Sequence, residues 1–277
     1  MSEASPALVN HGPAGLNPKL VKGVHAHTVQ DADRFVAHGH RVVFDQELLG
    51  VREGLVRMGD LAVVAIDTAV RALARRDVAA AASVVANDRA INAAQTDLTS
   101  LVVTTIATQS PVAGDLRFLL SLVHVSYELE RIGDHAAGVA KQVARLTNTP
   151  NTGDTSLDRM GELASAILHG VLRALVDLDF EAARQIASED DEMDRLYHAY
   201  FARALDHMRL DPSWVDAGAR LLFAAKNLER IGDRVTNIAE EIVFLATGEV
   251  EDLNGEPRPR PLPPPSPGVR SSRYEPD

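Results

Sequence analysis

A hexapeptide, Leu-Glu-Arg-Ile-Gly-Asp, occurs twice in this chain of 277 residues and constrains its fold more than any other feature. It begins at Leu129 and begins again at Leu228. Repetition of this length within one chain indicates an internal duplication, because self-similarity at a fixed offset marks repeated structural units. We therefore expect two copies of one unit.

The duplication extends well beyond the hexapeptide. The segment Met58-Gly59-Asp60-Leu61 corresponds to Met160-Gly161-Glu162-Leu163, and Asp88 corresponds to Asp190 at the same offset. The offset is three residues smaller at the hexapeptide, which a shorter connection between the second and third helices of the second copy would explain. Each copy is therefore expected to form a three-helix unit.

Helical periodicity dominates the chain between its two ends. The sequence predicts six long helices, at 42–75, 78–109, 112–147, 156–177, 180–209 and 212–247. Asp77 and Asp179 stand where N-caps are expected, because an aspartate oxygen can accept from the free N–H groups of a helix start. The expected fold class is all-α, with two tandem three-helix bundles related by internal duplication, at 42–149 and 150–249.

The two ends of the chain differ from this helical part. Residues 1–41 contain several Gly and Pro residues and no sustained helical period, so a flexible N-terminal tail is expected. Residues 250–277 include the run EPRPRPLPPPSPG. Proline cannot donate a backbone hydrogen bond, which excludes helix and central strand there and predicts a disordered C-terminal tail.

The composition excludes several classes of function. The chain has no Cys, which excludes disulfides and thiolate metal sites. Its formal net charge of −11 disfavours nucleic acid, whose binding depends on neutralising phosphates. No apolar stretch approaches the ~18–20 residues of a membrane span, and the first residues lack the pattern of a signal peptide. These features predict a cytoplasmic protein.

Acidic residues recur with the repeat, which apolar packing alone does not require. In each copy, two helices carry oxygen-bearing side chains four residues apart, and this spacing places each pair on one helix face. The residues are Asp88, Asn92, Glu130 and Asp134 in the first copy, and Asp190, Asp194, Glu229 and Asp233 in the second. Grouped carboxylates repel and are costly to desolvate, and a bound cation would remove both costs.

The donor set indicates which metals would suit such a site. All-oxygen ligands favour hard cations such as Mg²⁺, Mn²⁺ and Ca²⁺, and bridging carboxylates also suit iron. Glu229 and Asp233 fall outside the apolar stripe of the last helix, so the site is expected to open to the surface. The Glu-x-x-His motif of di-iron bundle oxidases occurs nowhere in the chain, which argues against an oxidase. Ordinary solvated acids remain the alternative.

The sequence resembles the PhoU family, the accessory regulators of bacterial phosphate uptake. The resemblance rests on the doubled LERIGD, on QSPVAGDLR at 109–117 and on the closing stretch NLERIGDRVTNIAEEIVFLATGE, and it covers about residues 42–249. It implies two related three-helix bundles whose acidic motifs bind a multinuclear metal, iron first, with zinc, manganese or magnesium as alternatives. The ligands implied by position are Asp88, Glu130, Asp134, Asp190, Asp194, Glu229 and Asp233.

The same resemblance implies a set of partners. Members of this family restrain the phosphate-starvation response and relay the state of the Pst phosphate ABC transporter to a PhoR-type sensor histidine kinase. The implied contacts are the transporter's ATPase subunit and the cytoplasmic region of the kinase. A homodimer and a peripheral position at the inner face of the membrane are also implied.

The leading hypothesis is therefore a non-enzymatic, metal-binding adaptor that negatively regulates phosphate signalling. No nucleophile–base pair or Gly-rich phosphate loop is evident in the sequence. A metal-dependent hydrolase of phosphate esters and a purely structural helical scaffold are the alternatives. Asn92 and Gly138 replace the equivalents of Asp194 and Asn237, so the first site is expected to bind metal more weakly than the second.

Overall fold

The computed structural model of the chain describes residues 18–146 and 154–253, and for residues 18–42 it describes the backbone. The described part contains α-helices and one 3-10 turn, and no β-strand, so the all-α prediction is confirmed. The helices are α1 Pro18–Arg75, α2 Val78–Gln109, α3 Ala113–Val143, α4 Ser156–Asp177, α5 Phe180–Ala187, α6 Asp190–Leu210 and α7 Val215–Thr247. Within these residues, none of the helices is both long and apolar enough to cross a membrane.

The two predicted N-caps are confirmed. An Oδ1 atom of Asp77 accepts a hydrogen bond from the N–H of Ala80 at 2.9 Å, and Asp179 does the same for Ala182 at 3.0 Å. Both aspartates have extended backbone conformations, as a residue just outside a helix should. Helices α2 and α4 begin and end where the sequence predicts.

The predicted fifth helix, 180–209, is wrong as a single element. A turn at Ser188 and Glu189 divides it, so that α5 ends at Ala187 and α6 begins at Asp190. Serine competes with the helix backbone for hydrogen bonds, and acidic residues are stabilised in the first turn of a new helix. The segment 188–192, one serine followed by four acidic residues, therefore favours the start of a new helix over an uninterrupted helix.

The predicted beginning of the first helix at residue 42 is also wrong, because α1 begins at Pro18. No proline follows Pro18 before Pro111, and proline is well suited to the first turn of a helix. The predicted 112–147 helix ends earlier, at Val143, and a 3-10 turn at Pro212–Trp214 precedes α7.

The chain divides into two compact units, Met1–Leu48 and Leu49–Asp277. The described part of the first unit is the beginning of α1. The predicted boundary between the two bundles, at 149/150, falls in residues 147–153, outside the described residues. The tail predictions for residues 1–17 and 254–277 also lie outside them.

Among helices α2 to α7, the most extensive contact is that between α3 and α7. Helix α2 packs on α3, while α4, α5 and α6 pack on α7. Aliphatic residues, many of them alanine, fill the interfaces, and small side chains let helix axes approach closely. The largest fully buried side chains include Met58, Ile66, Leu119, Leu129, Ile132, Met160, Leu168, Met193, Leu228 and Ile231. The two hexapeptides therefore lie on the central pair of helices.

Helices α1 and α4 cross through equivalent residues of the two copies. A Cβ atom on Gly59 would lie 2.5 Å from Leu172, and a Cβ atom on Gly161 would lie 2.5 Å from Val70. Gly59 is equivalent to Gly161, and Val70 is equivalent to Leu172. Gly59 on α1 thus contacts Leu172 on α4, and Gly161 on α4 contacts Val70 on α1. This reciprocal pattern is typical of a two-fold interface.

The contact between α3 and α7 is reciprocal in the same way. Arg234 on α7 pairs with Glu128 on α3 at 3.3 Å, and Asn227 on α7 is hydrogen-bonded to His135 on α3 at 3.2 Å. Glu128 is equivalent to Asn227, and His135 is equivalent to Arg234. An approximate two-fold axis therefore passes between α3 and α7 and relates the two copies.

Candidate metal centres

The second acidic cluster comprises Asp190 and Asp194 on α6 and Glu229 and Asp233 on α7. Burial, followed by the charges of Asp233, Asp194 and Glu229 in that order, raises the pKa of Asp190 to about 7. Burial likewise raises the pKa values of Glu229 and Asp233, and Asp194 adds to both. The structure therefore brings all four predicted residues into one electrostatically coupled group.

One residue that the sequence analysis missed, Lys226, already neutralises part of this cluster. Its ammonium group donates to Oε1 of Glu229 and lies 5.2 Å from the ring centre of Tyr197. The Lys226 charge also opposes the upward pKa shifts of Glu229 and Asp233. The three-residue spacing between Lys226 and Glu229, which brings side chains together on a helix, was the signal available in the sequence.

The first acidic cluster comprises Asp88 on α2 and Glu130 and Asp134 on α3. Burial raises the pKa of Asp88, and Asp134 adds to this shift while Lys141 opposes it. Burial also raises the pKa of Glu130, followed by the charges of Asp134 and Asp88. These three predicted residues are therefore together, with fewer carboxylates than the second cluster has.

Asn92 lies four residues after Asp88 on α2 and stays a predicted ligand of the first cluster. It is exposed on α2, and its side chain forms no hydrogen bond with any described residue. Asn237, the residue replaced by Gly138 in the first copy, donates through its side-chain amide to Glu128 at 3.1 Å. The weaker metal binding expected of the first site stays a prediction. Gly138 leaves room for Asn227, which a Cβ atom there would approach to 2.5 Å.

The glycine of each hexapeptide lets the acid-bearing helices approach each other. A Cβ atom on Gly133 would lie 2.7 Å from Ile91 and 3.5 Å from the Oδ1 atom of Asp88. A Cβ atom on Gly232 would overlap the carboxylate of Asp190. The tight crossing explains why a residue that costs ~1 kcal/mol in a helix interior occupies both positions.

Glu229 is more buried than the sequence predicts, with 8% of its surface exposed. The second cluster is therefore less open to the surface at Glu229 than the sequence predicts. The reason is the close approach at Gly232, which brings α6 over the acidic face of α7.

Each cluster contains a buried carboxylate oxygen without a partner. The Oδ1 atoms of Asp88 and Asp190, which are equivalent in the repeat, form no hydrogen bond, and neither does Oε2 of Glu229. Leaving a buried polar atom unsatisfied costs about 1–3 kcal/mol. A cation with oxygen ligands would satisfy these atoms, so the residues fit a hard metal or iron in donor type.

The carboxylates are close together but are not arranged around one point. Within the described residues, no three His, Asp or Glu side chains stand in the geometry of a metal site. Mutual repulsion separates ionised carboxylates, and Lys226 holds Glu229 in the second cluster. Binding a metal would require these side chains to rotate.

An open cleft of about 400 Å³ lies between the two clusters, on the approximate two-fold axis. Its lining comes from three equivalent pairs on α3 and α7, namely Arg131 and Arg230, Asp134 and Asp233, and His135 and Arg234. We call it the central cleft. Asp134 and Asp233 belong to both the cleft and the acidic clusters.

His135 is fixed in the central cleft by a specific hydrogen bond. The amide nitrogen of Asn227 donates to the backbone carbonyl of Phe223 at 2.8 Å, so its oxygen faces His135 and accepts from Nδ1. Burial lowers the pKa of His135, the bond to Asn227 opposes this, and the charges of Arg230 and Arg234 lower it further. His198, the other histidine near an acidic helix turn, is exposed on α6 and packs against the ring of Tyr197.

The sequence of the chain is similar to a known protein family and to related bacterial proteins. A family model described as the PhoU domain matches residues 55–143 and again 157–242, one match for each copy of the repeat. The chain is 39% identical over 208 residues to the phosphate-specific transport system accessory protein PhoU homolog of Caulobacter vibrioides, covering 74% of this chain and 90% of the relative. It is 37% identical over 216 residues to the homolog of the same name in Xylella fastidiosa, covering 77% and 90%.

The fold of the chain is also similar to that of two solved structures. The crystal structure of PhoU from Pseudomonas aeruginosa superposes with a TM-score of 0.72 at 30% identity, covering 74% of this chain and 100% of that one. The phosphate transport system regulatory protein PhoU from Streptococcus pneumoniae also gives 0.72, at 32% identity, with 76% and 99% covered. The duplicated helical architecture is thus shared with both.

Proposed function

The chain belongs to the PhoU family, and from this premise we propose that it is a metal-binding, non-catalytic accessory protein that regulates phosphate transport. Its relatives bear the names of phosphate-specific transport system accessory and regulatory proteins. The observation that carries the metal-binding part is the pair of equivalent buried oxygens, on Asp88 and Asp190, each among carboxylates and without a hydrogen-bond partner.

The proposed ligands lie on helix pairs in both copies. Asp190, Asp194, Glu229 and Asp233 would hold metal between α6 and α7. Asp88, Glu130 and Asp134 would do so between α2 and α3, with Asn92, four residues after Asp88 on α2, as a further ligand. A multinuclear iron centre suits bridging carboxylates, and zinc, manganese or magnesium are the alternatives.

A bound cation would supply charge neutralisation and a cross-link between helices. Metal that binds only the folded chain stabilises it according to concentration and affinity. Without metal, Lys226 partly compensates Glu229 and Asp233, while the carboxylates around Asp190 still repel. Metal occupancy would therefore fix the relative positions of α6 and α7, and of α2 and α3, and so the surface that these helices present.

We propose that this surface contacts the ATPase subunit of a phosphate ABC transporter and a PhoR-type sensor histidine kinase. The family names support association with a phosphate transport system, and the kinase contact, negative regulation and a homodimer are extensions of that role. Such partners would hold the chain at the cytoplasmic face of the membrane.

The test is binding of the full chain to the transporter ATPase and to the kinase's cytoplasmic region, both from the same organism. Biolayer interferometry is run with Mn²⁺-loaded protein and with protein treated with chelator. We expect both partners to bind the loaded chain, and binding to weaken when metal is removed.

The matched variants separate the acidic clusters from general surface charge. Glu229→Ala/Asp233→Ala should bind partners as the chelated wild type does. Asp158→Ala/Glu162→Ala removes an acidic pair of the same spacing from α4 and should behave as loaded wild type. Failure of the loaded wild-type chain to bind either partner would refute the adaptor function.

A further inference from the structure

The central cleft contains guanidinium groups whose charges are only partly offset, because Arg131 opposes the upward pKa shift of Glu130 and Arg230 opposes that of Asp233. Arg131 and Arg230, which are equivalent in the repeat, form no ion pair or hydrogen bond with any residue in the described part of the chain. Arg234 donates to Glu128 through Nη1, yet its Nε atom is buried without an acceptor. Donors from both central helices therefore border an open volume of about 400 Å³.

The lining indicates the chemical class of a ligand. All six side chains are charged or imidazole, whereas sites for drug-like organic ligands are mainly apolar. The rigid fork of an arginine matches two oxygens of a phosphate group, and two arginines related by a two-fold axis can contact one compact anion from two sides. A small tetrahedral oxyanion fits these requirements.

We propose that the central cleft binds an oxyanion of the phosphate class, and that metal in the two acidic clusters controls this binding. The second half of this statement rests on the metal binding proposed above. Asp134 and Asp233 line the cleft and also belong to the clusters, one in each. When ionised they repel an anion, and a cation bound at each cluster would cancel that repulsion.

The coupling is necessarily reciprocal. If metal increases the affinity for phosphate by some factor, phosphate increases the affinity for metal by the same factor. The chain would then respond to metal and phosphate together, through groups that lie on the contacting helices α3 and α7.

The test is isothermal titration of inorganic phosphate into the full chain, with Mn²⁺ and separately after chelation. The arginine variant is Arg131→Gln/Arg230→Gln. Its matched control is Arg71→Gln/Arg173→Gln, which removes two exposed arginines that are also equivalent in the repeat. The third variant, Asp134→Asn/Asp233→Asn, removes the two repulsive charges without any metal.

We expect loss of both cleft arginines to weaken phosphate binding roughly tenfold or more, since each charge-assisted bond contributes substantially. The Arg71/Arg173 control should match wild type. Chelated wild type should bind more weakly than loaded wild type, while the chelated Asp134/Asp233 variant should bind more tightly than chelated wild type.

The outcomes distinguish phosphate binding in the central cleft from phosphate binding at the metal clusters. If the chain binds no metal, the chelated Asp134/Asp233 variant still tests the cleft, because its charges are already removed. Unchanged affinity in the arginine variant would place phosphate on the metals and overturn the proposal. Absence of binding to both the loaded wild type and the Asp134/Asp233 variant would also overturn it.

Two further titrations identify the source of the oxyanion. Preference for inorganic phosphate over ATP and over a phosphoserine peptide would identify the free ion as the ligand. Preference for the phosphopeptide would identify the phosphoryl group of a partner. Arg131 and Arg230 are required in either case.

Discussion

At the scale of single residues, Asp190 is the clearest position at which the protein's own side chains leave a buried carboxylate oxygen unsatisfied. Its Oδ1 atom is buried without a hydrogen-bond partner, and three neighbouring carboxylates raise its pKa beyond the effect of burial. A purely structural carboxylate would find a donor there. The sequence indicated Asp190 through its equivalence to Asp88, but the absence of a donor depends on packing and could not be read from the sequence.

The first prediction concerns the stability of the chelator-treated protein between about pH 4 and pH 7. The folded chain keeps Asp190 protonated up to about pH 7, whereas the unfolded chain releases that proton near its ordinary pKa of 3.8. The folded state therefore binds more protons in this window, and stability should fall as pH rises through it.

Thermal unfolding of wild type and Asp190→Asn across this range, with chelator present, checks the prediction. The variant should lose less stability than wild type as the pH increases. Asp97→Asn, at an exposed position on α2, is the control and should follow wild type. If stability changed equally with pH in wild type and in Asp190→Asn, the environment assigned to the Asp190 carboxyl would be contradicted.

The second prediction concerns the glycine of the second hexapeptide. Gly232→Ala places a methyl group against the Asp190 carboxylate, so we expect a loss of about 1–3 kcal/mol in the free energy of unfolding. Gly114→Ala is the matched control on α3, where a Cβ atom would have no neighbour within 4 Å. Chemical denaturation measures both, and the control should be neutral or stabilising, because alanine is the better helix former. Equal effects at the two glycines would refute the tight crossing of α6 and α7.

At the scale of elements, signals within single helices, such as N-caps, predicted most helix boundaries. They missed boundaries at which continuing a helix competes with starting a new one. The N-caps Asp77 and Asp179 fixed the starts of α2 and α5 because each forms its hydrogen bond within its own first turn. The break at Ser188 and Glu189 was missed because apolar periodicity continues through it. The pairing of α3 with α7 was not predicted, since repeats alone do not determine which faces meet.

The third prediction tests the crossing of α1 and α4. Gly161→Ala should destabilise the fold more than Gly59→Ala, by about 1 kcal/mol or more in the free energy of unfolding. The first substitution meets Val70, whose branched side chain has few rotamers, while the second meets the ends of the more adaptable Leu172. Denaturant titration of the two variants provides the comparison, and a larger effect at Gly59 would contradict it.

At the scale of the whole molecule, the duplication produces an approximate two-fold axis that the sequence did not reveal. Offsets along the chain established the two copies, but only contacts show that Glu128 meets Arg234 while its equivalent Asn227 meets His135. The candidate metal residues were largely found from spacing, because helical geometry converts a four-residue interval into one face. Lys226 and the central cleft required tertiary structure, since both depend on which helices are neighbours.

The asymmetry of the two clusters leads to the fourth prediction. The second cluster has four coupled carboxylates, whereas the first has three, because Asn92 stands where the second copy has Asp194. We therefore expect Glu229→Ala/Asp233→Ala to remove more bound metal than Glu130→Ala/Asp134→Ala does. Equal losses in the two variants would show that the fourth carboxylate contributes nothing to retention of metal.

The decisive measurement is the metal content per chain of the full-length protein, purified without chelator and analysed by elemental mass spectrometry. Wild type and the Asp158→Ala/Glu162→Ala control should carry several ions of iron, zinc or manganese per chain, and both cluster variants should be depleted. Absence of metal from wild type, even after reconstitution, or the same metal content in all four proteins, would show that the acidic clusters are not metal centres.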